Sequence, residues 1–197
     1  MATYSDIRYN MTLSTSTTGK GSLTLISTQT ASSDNTIQFA SGIDSTYKEY
    51  IIKYINVHPA SDGQNFQVNF RDGSTAYDAT KTTSFFEAEH GEDGTGAGIA
   101  YNTAADVAQG TGVQRVTGGV GADNDQCCSG YLVLYDPSNT TFVKHFVMRT
   151  ANLRSDDIAF DSYVAGYCNT TSAIDGVQFS FASGAVASGT FKLYGVS

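Results

Sequence analysis

Residues 65–71 of the chain read NFQVNFR, and this stretch decides the fold class. Phe66, Val68 and Phe70 alternate with polar residues, so all three apolar side chains lie on one side of an extended chain. A turn signal, Asp72-Gly73, follows directly. The stretch therefore predicts a β-strand with one face turned toward a core.

The same two-residue period recurs along the chain, separated by turns rich in Gly, Ser and Asp. We expect a hairpin between 130–135 and 141–149 across the DPSNT turn, and another between 177–181 and 190–196. The only helical candidate is 103–109, about two turns long, which could equally form a loop. The predicted strands are 22–27, 36–40, 48–58, 65–71, 82–88, 130–135, 141–149, 158–164, 177–181 and 190–196.

About ten short strands without crossover helices predict an all-β protein, an antiparallel β-sandwich of jelly-roll type. We assign residues 22–197 to this single domain and residues 1–21 to a polar N-terminal arm or a first strand. The Gly-rich stretch 91–121 is interpreted as a long excursion between sheets. The residues expected in the core are Phe66, Val68, Phe70, Leu132, Leu134, Phe142, Val177, Phe179, Phe181, Phe191 and Leu193.

The composition of the chain argues against intrinsic disorder and against nucleic acid or a membrane as a partner. The 197 residues are 12% aromatic and only 15% charged, which excludes a disordered chain. The net charge of −8 repels the phosphate backbone, so nucleic acid is not an expected partner. Neither an apolar run of membrane-spanning length nor a basic amphipathic stretch occurs, so no membrane contact is expected.

Acidic residues gather at two places where a cation could bind. The segment 85–94 (FFEAEHGEDG) contains Glu87 and Glu89, and the triplet 123–125 contains Asp123 and Asp125. Carboxylate oxygens suit Ca²⁺, but neither spacing matches a calcium loop. We therefore favour a solvated acidic loop and a turn, and keep these four residues as weak metal candidates.

The other reactive residue types carry little signal. An adjacent cysteine pair, Cys127 and Cys128, together with Cys168, is not a disulfide framework, and packed thiols are favoured over one bridge to Cys168. His145 and Lys144 are neighbours in a predicted strand, so one of them points outward. No catalytic motif such as G-x-S-x-G is present in the sequence, and we expect neither an enzyme nor a cofactor.

Three longer segments resemble virion structural proteins of marine tailed bacteriophages. They are 45–73 (STYKEYIIKYINVHPASDGQNFQVNFRDG), 123–150 (DNDQCCSGYLVLYDPSNTTFVKHFVMRT) and 168–197 (CNTTSAIDGVQFSFASGAVASGTFKLYGVS). The resemblance covers about 45–197, and GTFKLYGV looks like the closing strand of their jelly-roll-like domains. It implies a structural role on the virion and brings no catalytic residues with it.

These observations lead to a functional expectation. We expect a non-enzymatic virion structural protein, a capsid decoration or cement protein on the outer particle surface that contacts the major capsid protein or another virion protein. The alternative is a tail-fibre or receptor- or glycan-binding module for host attachment. Sheet edges and faces need covering, so a homo-oligomer is expected, with a trimer favoured by analogy.

The N-terminal arm is expected to dock the protein onto its partner. Ile7, Tyr9, Met11 and Leu13 fall at every second position, as in a strand. Such a segment can add to an exposed sheet edge, where backbone hydrogen bonds supply affinity. The alternative is that residues 8–13 form the first strand of this protein's own sandwich.

Overall fold

The computed structural model describes residues 22–197, and this part of the chain is built almost entirely of strands. One 3₁₀ turn, Thr103–Ala105, is the only helical element among the described residues. The strands are β1 (Leu23–Asp34), β2 (Ile37–Phe39), β3 (Glu49–Pro59), β4 (Gln64–Arg71), β5 (Lys81–Gly91), β6 (Gly98–Tyr101), β7 (Gln114–Val120), β8 (Cys128–Tyr135), β9 (Lys144–Leu153), β10 (Ile158–Cys168), β11 (Gly176–Phe181) and β12 (Val186–Val196).

The strands form two antiparallel sheets that pack face to face. The larger sheet has the order β1-β12-β3-β8-β9-β10-β5-β6, and the smaller has the order β2-β11-β4-β7. The chain crosses between the sheets at each step from β1 to β5, again on entering and leaving β7, and again on entering and leaving β11. This is jelly-roll connectivity: β1-β12-β3-β8 and β2-β11-β4-β7 are its two four-stranded sheets, and β9, β10, β5 and β6 widen the larger sheet beyond β8. The predicted all-β antiparallel sandwich is confirmed.

The core lies between the sheets and is centred on aromatic rings. Phe66 of β4 stacks on Phe179 of β11 with ring centroids 5.6 Å apart, and Tyr54 of β3 meets Phe66 edge-on at 5.4 Å. Phe179 also packs across the core against Phe191 of β12, at 5.4 Å. Ten of the eleven predicted core residues are buried, as the alternation predicts.

Phe142 is the exception, and its predicted burial is wrong. Its side chain is 69% exposed because β9 begins two residues later, at Lys144, so Phe142 belongs to the turn before the strand. The turn is held by the Asn139 side chain, whose Oδ1 accepts a hydrogen bond from the Phe142 backbone N–H at 2.8 Å.

Three predictions about connections are also corrected. The expected hairpin between 177–181 and 190–196 does not form, because β11 pairs with β2 and β4 whereas β12 pairs with β1 and β3. The stretch 91–121 is not one irregular excursion, since it contains β6 and β7. The helical candidate reduces to Thr103–Ala105, because the Asp106 carboxylate accepts a hydrogen bond from Phe85 N–H at 2.8 Å and fixes the chain to β5.

The cysteines are free thiols. Cys128 of β8 pairs with Asn152 of β9, and Cys168 of β10 pairs with Lys144 of β9. Asn152 and Lys144 are eight residues apart along β9. Eight strand residues span about 26 Å, so a bridge from Cys168 to Cys127 or Cys128 is geometrically impossible without unfolding the sheet. The alternative of one long-range disulfide is therefore wrong.

Cys168 lies in a row with two lysines that are fully buried. Lys81 on β5 and Lys144 on β9 flank it on either side. The Lys81 Nζ donates a hydrogen bond to Ala79 O at 3.0 Å, and the Lys144 Nζ donates to Thr170 O at 2.9 Å. Burial lowers the pKa of Lys81 to about 8, with small opposing contributions from Cys168 and Asp78. Burial likewise raises the pKa of the Cys168 thiol to about 12.

Lys81→Met is expected to raise the free energy of unfolding at neutral pH by roughly 1–2 kcal/mol, because it removes a buried charge and keeps most of the side-chain volume. Below about pH 8 the lysine is protonated in both states, so the cost of burying its charge is complete. Between about pH 8 and pH 10.4 this lysine binds more protons in the unfolded chain than in the folded one. Its contribution to the stability of the wild-type protein therefore rises with pH in this range.

The gain from Lys81→Met should therefore shrink as the pH approaches 10, which urea unfolding curves at several pH values measure. Lys48→Met, at an exposed position paired with Asp136, is the matched control and should change stability by less than about 1 kcal/mol. A gain that does not vary with pH would contradict the assignment of a buried charge to Lys81.

Candidate interaction surface

The side of the eight-stranded sheet that faces away from the four-stranded sheet is named the outer face. Most of the large hydrophobic side chains that are exposed in the described residues lie on this face, as the pairing of the strands shows. Val113 and Phe142 are the exceptions. Ile99 is 82% exposed and Leu25 is 53% exposed. The exposed hydrophobic residues of the outer face are Leu23, Leu25, Ile55, Phe86, Ile99, Tyr101, Tyr131 and Tyr135.

A ridge of large side chains, the central row, crosses this face from strand to strand. Its members are directly opposed in register, so their side chains stand beside one another. Phe86 and Tyr163 stack with centroids 4.6 Å apart and planes 3° from parallel, and the Arg149 guanidinium lies 5.0 Å from the Tyr163 centroid. The row runs Tyr101, Phe86, Tyr163, Arg149, Tyr131, Lys53, Lys192.

An ion pair fixes the middle of the central row. Arg149 Nη2 donates to Asp161 Oδ2 at 2.7 Å, and its Nε also donates to the same carboxylate. The Tyr163 hydroxyl donates to Asp161 Oδ2 at 3.0 Å. These hydrogen bonds, with that from Arg149 the largest, hold the pKa of Asp161 below its usual value against the opposing effect of burial. The Asp161 carboxylate in turn raises the pKa of Tyr163.

Small residues form a furrow on each side of the central row. On one side Ala88, Ala151 and Ala159 line a depression of about 620 Å³ that Cys127 and Leu153 also border. On the other side Ser84, Val147 and Ala165 line a depression of about 380 Å³ next to His145 and Tyr167. The outer face is thus a surface of ridge and furrows.

The predicted acidic loop is a different structure. Glu87 and Glu89 lie in β5, and their side chains point to the inner side of the sheet. Glu87 Oε2 accepts a hydrogen bond from Arg115 Nη2 at 3.1 Å, and Glu89 Oε2 accepts one from Arg154 Nη1 at 3.1 Å. Both carboxylates are only partly exposed, and each is paired with an arginine. The reading of this segment as a solvated loop is therefore wrong.

The other two metal candidates lie elsewhere. Asp123 and Asp125 are exposed in the turn between β7 and β8, as expected for a turn. Nowhere in residues 22–197 do three or more His, Cys, Asp or Glu side chains gather so that they could hold a metal ion. The structure therefore does not bring Glu87, Glu89, Asp123 and Asp125 together as a site.

The residues predicted to dock the arm, Ile7, Tyr9, Met11 and Leu13, lie outside the described residues. The first described strand is β1, at the margin of the eight-stranded sheet, where its outer edge has no partner strand within residues 22–197. The described sandwich therefore offers a free edge of the kind that strand addition requires.

Sequence reasoning did not find the outer face, although a signal for it was present. The run 130–135 (GYLVLY) is apolar at successive positions, which is typical of a strand covered on both sides. In the sandwich Leu132 and Leu134 fill the core, while Tyr131, Val133 and Tyr135 point outward. A strand apolar on both sides indicates a second contact surface.

Comparison with known proteins gives no relatives: no family model, no curated protein and no solved structure matches this chain. Within the described residues, no helix has the length and apolar character needed to cross a membrane.

Arg149→Met is expected to raise the pKa of Asp161, because the substitution removes the hydrogen bonds and charge that favour the carboxylate and leaves the effect of burial. The pair is partly exposed, so its contribution to stability should be below about 1 kcal/mol. That contribution is present at neutral pH and is lost as the pH falls through the lowered pKa of Asp161.

Carbon-detected NMR titration of the Asp161 carboxyl measures this shift directly. Arg154→Met is the control, because the Arg154 guanidinium contacts Glu89 and Asp156 and makes no bond to Asp161. An Asp161 pKa equal in wild type and Arg149→Met would show that the central row is not organised by this ion pair.

Proposed function

We propose that this chain is a non-enzymatic virion structural protein, a capsid decoration protein on the outer particle surface that acts through protein–protein contacts. The observation that carries the proposal is the outer face, on which eight large hydrophobic side chains are exposed together. Exposed large hydrophobic side chains concentrated on one face of a folded domain are typical of a site of association. The resemblance of three segments to phage virion proteins is the reason for proposing that this association takes place on a virion.

The composition of the outer face supports association with protein. It is rich in Tyr and carries one arginine in its centre, and both residue types are enriched at protein interfaces. Arginine and tyrosine are also the side chains that most often contribute large binding energies. A partner in the virion, such as the major capsid protein or another copy of this chain, fits this chemistry.

A second candidate is a tail-fibre or receptor- or glycan-binding module. The observation that favours it is the same central row, in which exposed tyrosines stand beside the Arg149–Asp161 pair. Aromatic rings stack on the apolar faces of sugars, and charged groups beside them hydrogen-bond to hydroxyls. This candidate uses the outer face for a host ligand instead of for a virion protein.

Quantitative mass spectrometry of purified particles, with the major capsid protein as internal standard, tests the proposal. Hundreds of copies per particle are expected of a decoration protein. A few tens or fewer would favour the tail-fibre candidate, and so would loss of host adsorption when antibodies block the protein. Absence from the purified particle would overturn both assignments to the virion.

Deletion of residues 1–20 is expected to leave the melting temperature nearly unchanged and to abolish binding to particles stripped of the protein. The described sandwich starts at β1 and has a complete core within residues 22–197. Calorimetry and co-sedimentation with particles measure the two effects. Unfolding or aggregation of the truncated protein would show that the arm belongs to the fold.

A further inference from the structure

We infer that the outer face is covered by a second copy of this chain, packed face to face across a twofold axis. The inference rests on the proposed function in taking the outer face as a protein contact, and it names the partner. Three observations point to a second copy: the size of the face, its charge, and its relief of ridge and furrows.

The size of the outer face matches a stable dimer. Eight strands about 4.8 Å apart, about ten residues long on average at about 3.3 Å per residue, give a face of roughly 1,200 Å². A specific interface needs about 800 Å² from each partner. One outer face pressed against another therefore supplies enough surface without help from loops or from the residues before β1.

The charge of the outer face is low, which favours self-association through this face over the acidic remainder of the chain. It carries three basic side chains, Lys53, Arg149 and Lys192, and two acidic ones, Glu49 and Asp161, for a net charge of +1. The whole chain has 11 basic and 19 acidic residues, so −9 remains for everything outside this face. The rest of the chain is therefore acidic on average, whereas two outer faces are almost neutral to each other.

The relief of the outer face is self-complementary. The central row stands beside the furrow of Ala88, Ala151 and Ala159, and a twofold rotation places the ridge of each copy opposite the furrow of the other. The furrow of about 620 Å³ has room for the aromatic rings of the partner's central row. The contact then buries Phe86 and Tyr131, which are more than 40% exposed in a single copy.

A face-to-face contact across a twofold axis gives a dimer. An isologous contact uses the same patch on both partners and closes at two copies. A trimer, which analogy with decoration proteins favours, requires a heterologous contact between two different patches. The number of copies in solution therefore separates the two arrangements.

The test compares wild type, Ala159→Arg and Ala182→Arg by light scattering over a dilution series. Wild type should have twice the 20.9 kDa mass of one chain. Ala159→Arg places a long side chain in the furrow and should raise the dissociation constant about 100-fold, because it fills the space that the partner's rings would occupy. Ala182→Arg, exposed in the loop between β11 and β12, adds the same charge away from the outer face and should remain a dimer.

A second measurement does not depend on any substitution in the furrow. Nitration of Tyr131 by tetranitromethane should be slow in concentrated wild-type protein and fast after dilution below the dissociation constant. Circular dichroism of each variant confirms folding. A wild-type monomer with reactive Tyr131 at all concentrations, a mass of three copies, or equal effects of the two arginine substitutions would overturn the inference.

The outcomes also separate the inference from the proposed function. A dimeric protein that is absent from purified particles would support the face-to-face contact and refute the virion role. A protein abundant on particles but monomeric in solution, whose Ala159→Arg variant no longer binds particles, would refute the second copy and leave another virion protein as the occupant of the outer face.

Discussion

The two sheets differ in width, and the rest of the structure depends on how this mismatch is resolved. Four strands cannot cover eight, so the aromatic core of Tyr54, Phe66, Phe179 and Phe191 joins the sheets only where they overlap. Beyond the overlap the inner side of the larger sheet needs other partners. At the β5 margin these are the ion pairs of Glu87 with Arg115 and of Glu89 with Arg154.

Between the aromatic core and this margin, hydrogen bonds replace apolar packing. Thr117 of β7 bonds across the sandwich to Asn152 of β9 and to Ser162 of β10, the latter at 2.9 Å, and Asn152 Nδ2 donates to Gly118 O at 3.2 Å. The buried polar groups are satisfied by each other, which fixes how β7 crosses the larger sheet. Polar contacts of this kind depend on position and would not tolerate a shift of β7 by one residue.

The fold class was predictable because it depends on local periodicity, whereas several details were not because they depend on distant partners. Alternation places Phe66, Val68 and Phe70 together but cannot say which sheet a strand joins, so β11 and β12 were paired wrongly. Lys144 and His145 show the same limit: the lysine is the buried one, since the strand begins there and Cys168 and Thr170 lie beside it. The outer face was missed because apolar residues on both sides of a strand remove the signal that separates core from surface.

The edges of the described sheets and the outer face offer different groups for contact. Among the four marginal strands, β2 and β6 are only three and four residues long, and the pairing of β7 is interrupted by register shifts. Short and bulged edges resist strand addition. The remaining edge, β1, is twelve residues long and has no partner strand on its outer side within residues 22–197, although its pairing with β12 also shifts register between Leu25 and Ser27. Strand addition at β1 uses backbone groups in the plane of the sheet, while the outer face offers side chains perpendicular to it. The proposed face-to-face contact and the proposed docking at the β1 edge would therefore not compete for the same groups.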